Sequence, residues 1–401
     1  MDPKSTKVLV TGAGLGGLTA AGCLLQAGFE VEVYEQAPAL GEIGAGIQQS
    51  ANAMHVMRHL GLLERLAAVA FRPPVTQFRT YDTGEVLQEL SLAERHEARH
   101  GAPYFQMHRA DFHRILAARV DELDPAAIRL GASAVGFEQE AQGIVLRLAD
   151  GRRADGDVLV GADGIKSAVR RALAGAKPPE YTGDAAWRLT VPSERLPAGF
   201  MEGKSTIWVG PGKHAVVYFL REGRLLNFVG AVELDEWIEE SWTQKRPWDE
   251  LERDFRGWHP AIRTIIERAD RHECYRWALN VHPPLERWSE GRVTLLGDAA
   301  HPTLPYLAQG AAMAVEDAAV LTRALLQAES VPAALALYEH NRRDRTARIV
   351  RESRENRKLF HLESIDELKA AFARRNMDRE RSDWLYSYDP LTVALAAPAG
   401  G

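Results

Sequence analysis

The sequence predicts an α/β fold made of two unlike parts, followed by a helical C-terminal region. Three observations carry the prediction. Strand, glycine-turn, helix and strand patterns follow one another in the first 35 residues; short alternating runs fill the stretch from Tyr181 to about Asn280; and a strand followed by a long helix returns at Val293.

Lys7–Val10 (KVLV) is the short, nearly continuous apolar run expected of a strand buried on both faces. The glycine turn TGAGLGG follows, then a helical pattern, LTAAGCLLQAG, that stops at Gly28, then a second strand, VEVYE, ending at Glu35. Gly12, Gly14 and Gly17 stand in the spacing GxGxxG. The first makes the tight turn, the second lets a pyrophosphate approach the backbone, and the third permits close helix packing, with the helix N-terminus facing the phosphates. Glu35 lies eighteen residues past Gly17, where a carboxylate accepts hydrogen bonds from ribose hydroxyls. Together these make a Rossmann-type dinucleotide-binding unit. No second GxGxxG follows a strand, so a second dinucleotide would have no dedicated fold of its own.

Helical patterns follow at Ala51–Val69 and Ala110–Asp121, with strand-like pieces around Ile128–Phe137, Ile144–Leu148 and Asp157–Val160. Between Tyr181 and Asn280, the runs Thr206–Val209, His214–Leu220 and Leu225–Val232 read as antiparallel strands of an inserted mixed or antiparallel β-sheet, and one helix is expected over Trp248–Ala269. The chain then returns to a strand at Val293, a helix over Gln309–Gln327 and a charged helical tail.

At 401 residues, 46% hydrophobic and 26% charged, the chain has the apolar content for one large core or two smaller ones, and composition excludes disorder as its main state. Its net charge of −6 gives no general attraction to nucleic acid or to an acidic membrane. Arg345, Arg348, Arg351, Arg354 and Arg357 recur every three residues, but Asp344, Glu352 and Glu355 interleave, which predicts a solvated helix face rather than a partner-binding strip. Cys23 and Cys274 stand far apart without a CxxC motif, which argues against a disulfide framework, a thiolate metal site and the chemistry of a flavin disulfide reductase. His96 and His100 have the spacing of a helical metal pair, but no third ligand is placed by the sequence, so no metal is expected. The N-terminus lacks an uninterrupted apolar segment, and the helix Gln309–Gln327 carries Glu316, Asp317 and Arg323. Neither a signal segment nor a membrane span is predicted, and a reducing cytoplasm is the expected location.

Four motifs stand in register along the chain: GAGLGG with Glu35, HRADFHRIL at 108–116, GADGIKSAVR at 161–170 and GDAAHP at 297–302. In order and spacing they resemble the single-component (class A) FAD-dependent aromatic hydroxylases, over about residues 7 to 390. Within that family the chain is most similar to the 6-hydroxynicotinate 3-monooxygenases and 3-hydroxybenzoate 6-hydroxylases, with the salicylate hydroxylases further away. The resemblance implies an FAD-binding part assembled from residues 1–72, 105–178 and 282–350, a substrate-binding β-sheet part from 73–104 and 179–281, and a helical tail over 351–401. It implies that Gly12, Gly14, Leu15, Gly17, Glu35 and Gln36 bind FAD and that Arg109 pairs with its phosphates. Asp163 and Gly164 would help hold the pyrophosphate region, partly through backbone geometry. Asp298 would hydrogen-bond the ribityl chain, Pro302 would shape the wall beside the isoalloxazine ring, and the helix start at Gly310 and Ala311 would direct N–H groups at the pyrimidine edge. A reduced flavin is anionic there, and a helix N-terminus stabilises an anion. His301, in the same motif, is expected to support the turn.

The reaction so implied is oxygen insertion into an activated ring. NADH, or NADPH, reduces FAD; O2 adds to give a flavin C4a-hydroperoxide; the electron-rich carbon ortho or para to a phenolate attacks its distal oxygen. The protein must then supply a group that helps deprotonate the ring hydroxyl, a dry pocket, and anchors for a carboxylate. In KHAVVYFL, read as a strand, His214, Val216 and Tyr218 share one face, with the ends of that trio roughly 13 Å apart at about 3.3 Å per residue. Histidine titrates near neutrality and suits a base; the resemblance gives both His214 and Tyr218 contact with substrate. The remaining pocket residues are mixed. Gln48 and Tyr104 match the hydroxybenzoate enzymes, Pro305 the hydroxynicotinate enzymes, and Tyr306, grouped with His214 and Tyr218 as catalytic, again the hydroxybenzoate enzymes. Ser205 stands where the hydroxynicotinate enzymes carry a pocket cysteine, and Arg188 and Arg221 are the arginines available for a carboxylate.

The expected activity is hydroxylation of a small hydroxylated aromatic or heteroaromatic carboxylic acid, such as 3-hydroxybenzoate at its 6-position or 6-hydroxynicotinate. A decarboxylating hydroxylation, with attack at the carboxyl-bearing carbon, and a flavin- or ligand-binding protein without oxygenase activity are the competing readings. The charged tail can pack on its own body or on a second subunit, which leaves a homodimer open.

Overall fold

The structure, a computed structural model, describes residues 1–41, 46–175, 177–235, 245–377 and 382–398. Part of the alternating stretch (236–244) and parts of the expected helical tail (378–381 and 399–401) lie outside the described residues.

Strand β1 (Lys7–Thr11), helix α1 (Leu15–Gln26) and strand β2 (Glu30–Tyr34) form the expected βαβ unit, with β1 and β2 parallel. Strand β3 (Gly46–Gln49), helices α2 (Ala51–His59) and α3 (Leu63–Ala67), strands β4 (Val75–Thr80) and β5 (Val86–Ser91), helix α4 (Ala93–His100) and strand β6 (Phe105–His108) follow. The single helix expected over Ala51–Val69 is thus two, because Gly61 turns left-handed between them at φ +73°. Helix α5 (Arg109–Leu123), strands β7 (Ile128–Arg129), β8 (Ala134–Gln139), β9 (Ile144–Leu148), β10 (Arg153–Gly156) and β11 (Val158–Gly161), and helix α6 (Ala168–Ala174) complete the first half.

The second half opens with strands β12 (Glu180–Pro192), β13 (Ser205–Gly210), β14 (Lys213–Leu220) and β15 (Leu225–Glu233), helices α7 (Trp248–Asp254) and α8 (Pro260–Arg268), and strand β16 (Tyr275–Val281). Helices α7 and α8 replace the single helix expected over Trp248–Ala269. Gly257 is left-handed at φ +80°, and Pro260 starts α8, where its missing N–H costs nothing. Strands β17 (Ser289–Glu290) and β18 (Val293–Leu295) and helices α9 (Gly310–Gln327), α10 (Val331–Phe360) and α11 (Ile365–Ala373) close the chain.

Two large sheets organise these elements. One has six strands in the order β17-β18-β11-β1-β2-β7, parallel except at β17. Val8, Leu9 and Val10 are buried there on both faces, which is why that strand shows no polar alternation. The other has seven strands, β16-β12-β15-β14-β13-β4-β5, antiparallel except where β13 runs beside β4. On one of its faces Ala215, Val217 and Phe219 of β14 join Trp187 and Phe228 in an apolar core with Leu251 of α7 and Ile262 and Ile265 of α8. His214, Val216 and Tyr218 alternate onto the opposite face. A two-stranded ribbon, β3 with β6, is tied to that face by the Gly46 N–H donating to Asn227 Oδ1 (2.9 Å). Among the described residues no helix is long and apolar enough to cross a membrane.

Candidate active site

The glycine turn divides its labour as the spacing predicts. Gly12 sits at φ +89°, and a Cβ there would lie 2.6 Å from the Ala162 carbonyl oxygen at the end of β11. A Cβ at Gly17 would lie 2.0 Å from the Gly12 carbonyl oxygen, whereas one at Gly14 would meet nothing within 4 Å. Gly14 is the N-cap of α1, Leu15 is buried as its first residue, and no side chain caps the helix. That leaves N–H donors around open space, the arrangement a pyrophosphate needs. Glu35 accepts from the Ala13 N–H and the Ala37 N–H, each at 2.8 Å, so it braces the loop while each oxygen keeps a further lone pair. Gln36 is exposed beside it.

The motif at 108–116 brings α5 to the same loop. His108 caps α5 by accepting from the Ala110 N–H (3.2 Å), and His113 Nε2 donates to the Ala13 carbonyl (2.7 Å). Arg109 is the first residue of α5, and its charge acts on Asp298. The Asp163 carboxylate accepts from Ser167 Oγ (2.5 Å) and from the Ala168 N–H (2.7 Å), so the side chain caps α6 and fixes the turn whose backbone packs on Gly12. Arg170, in the same motif, has a function the sequence reading missed. Its buried guanidinium donates to the carbonyls of Ala299 (2.9 Å) and Ala300 (3.0 Å) and so fastens α6 to the turn carrying Asp298.

That turn rests on a buried ionic net. Gly297 N–H (3.1 Å) and His301 Nε2 (2.6 Å) donate to Asp317 Oδ2, while Arg342 Nε donates to Oδ1 (2.7 Å). Arg342 also pairs with Glu316 (2.6 Å), which holds Arg345 (2.7 Å) and accepts from Asn52 Nδ2 (2.5 Å). The side chains of Arg342, Glu316 and Asp317 are all 0% exposed. Burial pushes the Asp317 carboxyl up, but the neighbouring His301 and Arg342 outweigh it and hold the group at about 2. The solvated arginine face holds for three of the five: Arg348, which also stacks on Trp384 (3.8 Å), Arg351 and Arg354 are exposed, whereas Arg345 is paired inside and Arg357 is ion-paired.

Asp298 is accessible to solvent yet surrounded by protein, which raises its carboxyl against the opposing charges of His301 and Arg109. A hydroxyl donated to it would favour the ionised form, so the position fits a flavin ribityl chain. Pro302 is buried behind it. Gly310 and Ala311 open α9, whose N-cap Gln309 makes no side-chain capping bond, so the first N–H groups of the helix have no partner within it. Loop, acid, arginine, turn and helix start together fit FAD.

A cavity lies between residues 305–308 and the inner face of β14. Gln48, Tyr104, His214, Pro305 and Tyr306 all line it, with Thr76, Val216, Phe360 and Tyr386, and the Tyr104 hydroxyl donates to Gln48 Oε1 (2.5 Å). No lysine or arginine is among the described residues that line it. Tyr218 and Ser205, expected in the pocket, do not line this cavity. Tyr218 lies against the ribbon, where a Cβ on Gly46 would come within 2.5 Å of its hydroxyl, and burial pushes its phenol well up. Ser205 is buried beside Thr76, with no hydrogen-bond partner for its hydroxyl among the described residues. Arg188 stacks on Trp277 (4.8 Å), and Arg221 pairs with Asp111 (2.9 Å) away from the cavity.

Behind the cavity stand residues that no local pattern marked. His214 Nδ1 is 2.7 Å from His361 Nε2, and His361 Nδ1 is 2.7 Å from Glu233 Oε1. The Tyr306 hydroxyl donates to Asp184 (2.6 Å), which Arg357 grips with two nitrogens (2.6 and 2.8 Å). Burial and the Asp184 charge push the Tyr306 phenol well above its ordinary value, so its ring faces the cavity while its proton stays with Asp184. Asp184, Glu233 and His361 are close enough together for a metal ion, but Arg357 bonds Asp184 and sits 3.2 Å from Glu233, so a cation already fills the cluster. His96 and His100 are buried with their rings 4.6 Å apart, and His100 Nδ1 is bonded to Ser387 (2.7 Å).

A parallel sheet with a glycine turn, residues placed so as to fit FAD and a cavity against a second sheet are the arrangement of a flavin-dependent monooxygenase. Residues 5–353 match the family described as FAD binding domain, and the chain belongs to that family and to the single-component FAD-dependent aromatic hydroxylases its motifs resemble. It is 35% identical to 6-hydroxynicotinate 3-monooxygenase of Pseudomonas fluorescens over 98% of each chain, and 36% identical to 3-hydroxybenzoate 6-hydroxylase of Polaromonas naphthalenivorans over 97% of each. The solved structure of HpxO from Klebsiella pneumoniae, complexed with FAD and uric acid, is similar at a TM-score of 0.82 and 29% identity, covering 94% of this chain and 95% of that one. FAD is the cofactor, with reduced nicotinamide and O2 as the co-substrates of the class.

Proposed function

We propose that this chain hydroxylates a small hydroxylated aromatic or heteroaromatic carboxylic acid, of the kind represented by 3-hydroxybenzoate and 6-hydroxynicotinate, and that the ring sits in the cavity beside His214. The observation that carries the reading is the composition of that cavity: one imidazole and the neutral polar side chains Gln48, Tyr104 and Thr76, set in apolar walls next to the start of α9. Bound FAD supplies electron transfer from NADH or NADPH and the activation of O2. The chain's own residues do the rest. His214 takes the proton of the ring hydroxyl, Gln48 and Tyr104 orient polar substituents, and Pro305 with the Tyr306 ring forms a wall. Tyr218 and Ser205 act from outside the cavity, by fixing the ribbon and the strand ends that shape it.

The parallel sheet with its glycine turn supports a Rossmann-type FAD-binding part drawn from residues 1–72, 105–178 and 282–350, and the seven-stranded sheet supports a substrate part from 73–104 and 179–281. Buried, unbridged Cys23 and Cys274 support a reducing cytoplasmic setting. A homodimer remains part of the proposal, although Arg345 donates to the carbonyls of Trp384 and Leu385 and so draws the tail onto its own body.

One observation favours a second reading. With no lysine or arginine among the described residues that line the cavity, a substrate carboxylate is poorly neutralised there, which favours its loss as carbon dioxide if oxygen attacks the carbon that bears it. A panel of hydroxylated aromatic acids, scored by NADH oxidation, product identity and carbon dioxide release, separates the two. Yellow protein whose NADH oxidation no compound accelerates would sink both. Within the panel, His214→Ala should slow hydroxylation by about 100-fold or more while retaining FAD, and Asp298→Ala should mainly weaken FAD retention; equal losses in both assays would remove these roles.

A further inference from the structure

Two hydrogen bonds lead from the cavity wall to water. His214 and His361 are buried and joined at 2.7 Å, and His361 is joined at 2.7 Å to Glu233, whose side chain at the end of β15 is 42% exposed. Around His361 stand Glu233, Asp184, Arg357 and Tyr306; around His214 stand His361, Tyr306 and Phe360.

An ionised carboxylate only accepts hydrogen bonds, so the direction of the chain is set at its outer end. Glu233 requires the proton on His361 Nδ1. A neutral His361 then offers Nε2 as an acceptor, His214 donates to it from Nδ1, and a neutral His214 carries its lone pair on Nε2. Burial lowers His214 well below the ordinary histidine range, and a proton on His361 would lower it further, so His214 is a poor place for a proton to stay. Burial lowers His361 too, against the bond to Glu233 and the charge of Asp184.

We propose that Glu233 and His361 are positioning residues that fix His214 as a base, and that the three form the path by which the ring-hydroxyl proton leaves the cavity; this rests on the monooxygenase reading above. In the step, the ring O–H bond breaks and its proton bonds to His214 Nε2, the oxygen keeping the electron pair as a phenolate. The His214 Nδ1 proton passes to His361 Nε2, and the His361 Nδ1 proton passes to Glu233, which releases it to water. Both rings end neutral with their protons on the opposite nitrogens. Reprotonation of the product oxygen runs the path backwards and resets them. Arg357, 3.2 Å from the same Glu233 oxygen, holds the carboxylate at its post.

Glu233→Gln tests this, because His361 and Arg357 meet the same Glu233 oxygen, so the amide carbonyl can still accept from both and keep the tautomers, but an amide cannot take up the proton. With the compound that best stimulates NADH oxidation, Glu233→Gln should keep its FAD and lower the hydroxylation kcat about 10- to 100-fold. Glu233→Asp should restore most of the rate, and Glu233→Ala should regain it in proportion to added formate. Without any substrate, nitrogen-15 NMR of histidine-labelled, FAD-loaded protein should show His214 in the Nδ1–H form in wild type and in Glu233→Gln, and a loss of that fixed form in Glu233→Ala. A His214 found in the Nε2–H form in wild type, an unchanged His214 tautomer in Glu233→Ala, or wild-type turnover by Glu233→Gln overturns the proposal. If no compound is hydroxylated, the oxygenase reading fails, and the tautomer result alone decides whether Glu233 positions His214.

Discussion

At Gly17 helix α1 comes so close to the loop before it that a Cβ would sit 2.0 Å from the Gly12 carbonyl oxygen, while at Gly14 the same atom would meet no protein within 4 Å. Two glycines of one motif therefore face different surroundings, one packed against the fold and one open, where the proposed FAD pyrophosphate would sit. Gly17→Ala should cost about 1–3 kcal/mol of stability and lose FAD with it. Gly14→Ala, at a φ of −73° that alanine adopts freely, should melt close to wild type and still bind FAD poorly. Flavin absorbance per protein together with apparent Tm reads the contrast; a Gly14→Ala protein with full FAD content would count against the phosphate site. The close packing at Gly17 was legible in the sequence because it is local. The partner of the Tyr306 hydroxyl, Asp184, lies 122 residues away, and no spacing rule connects the two.

At the scale of an element, α10 is where sequence reasoning held only in part, for a geometric reason. Steps of three residues turn a helix short of a full circle by roughly 60°, so the arginines from Arg345 to Arg357 do not share a face but wind around it. Arg345 meets Glu316, Arg351 and Arg354 reach solvent, and Arg357 comes back to the body at Asp184. Arg342, outside the three-residue series, is the fully buried member, held between Glu316 and Asp317. Removing one partner of such a group leaves uncompensated buried charge. Arg342→Met should therefore destabilise the protein by about 3–5 kcal/mol, seen as a drop of several degrees in apparent Tm, whereas Arg354→Met, exposed on the same helix, should change it little. Equal Tm values for the two variants would show that the acids find other compensation.

Across the whole molecule the flavin turn depends on elements far apart in the chain: α6 through Arg170, α9 through Asp317, and α10 through Arg342. The four local motifs were enough to read the fold class and the loops proposed to meet the flavin, but not the net that fastens them, whose members stand 16 to 25 residues apart around Asp317 and 129 apart at Arg170. Asp317 joins the turn to both helices, and its carboxyl is held at about 2 against an ordinary value of 3.8. A carboxyl depressed in the folded state contributes stability that is complete above its unfolded pKa and is lost as pH falls through the folded one. That contribution, about 2 kcal/mol for a shift of this size, should be whole above about pH 4 and gone near pH 2. Other carboxylates titrate over the same range, so the comparison with Asp317→Asn isolates it. The variant should melt lower than wild type at neutral pH, and the gap between them should close as the pH falls from about 4 toward 2. FAD should leave early in that descent, because protonated Asp317 no longer fixes Gly297 and His301, the residues on either side of Asp298. Flavin fluorescence, which rises on release, followed beside thermal unfolding gives both quantities; a gap of constant width from pH 7 to pH 2 would mean that Asp317 stabilises the turn by shape rather than by charge.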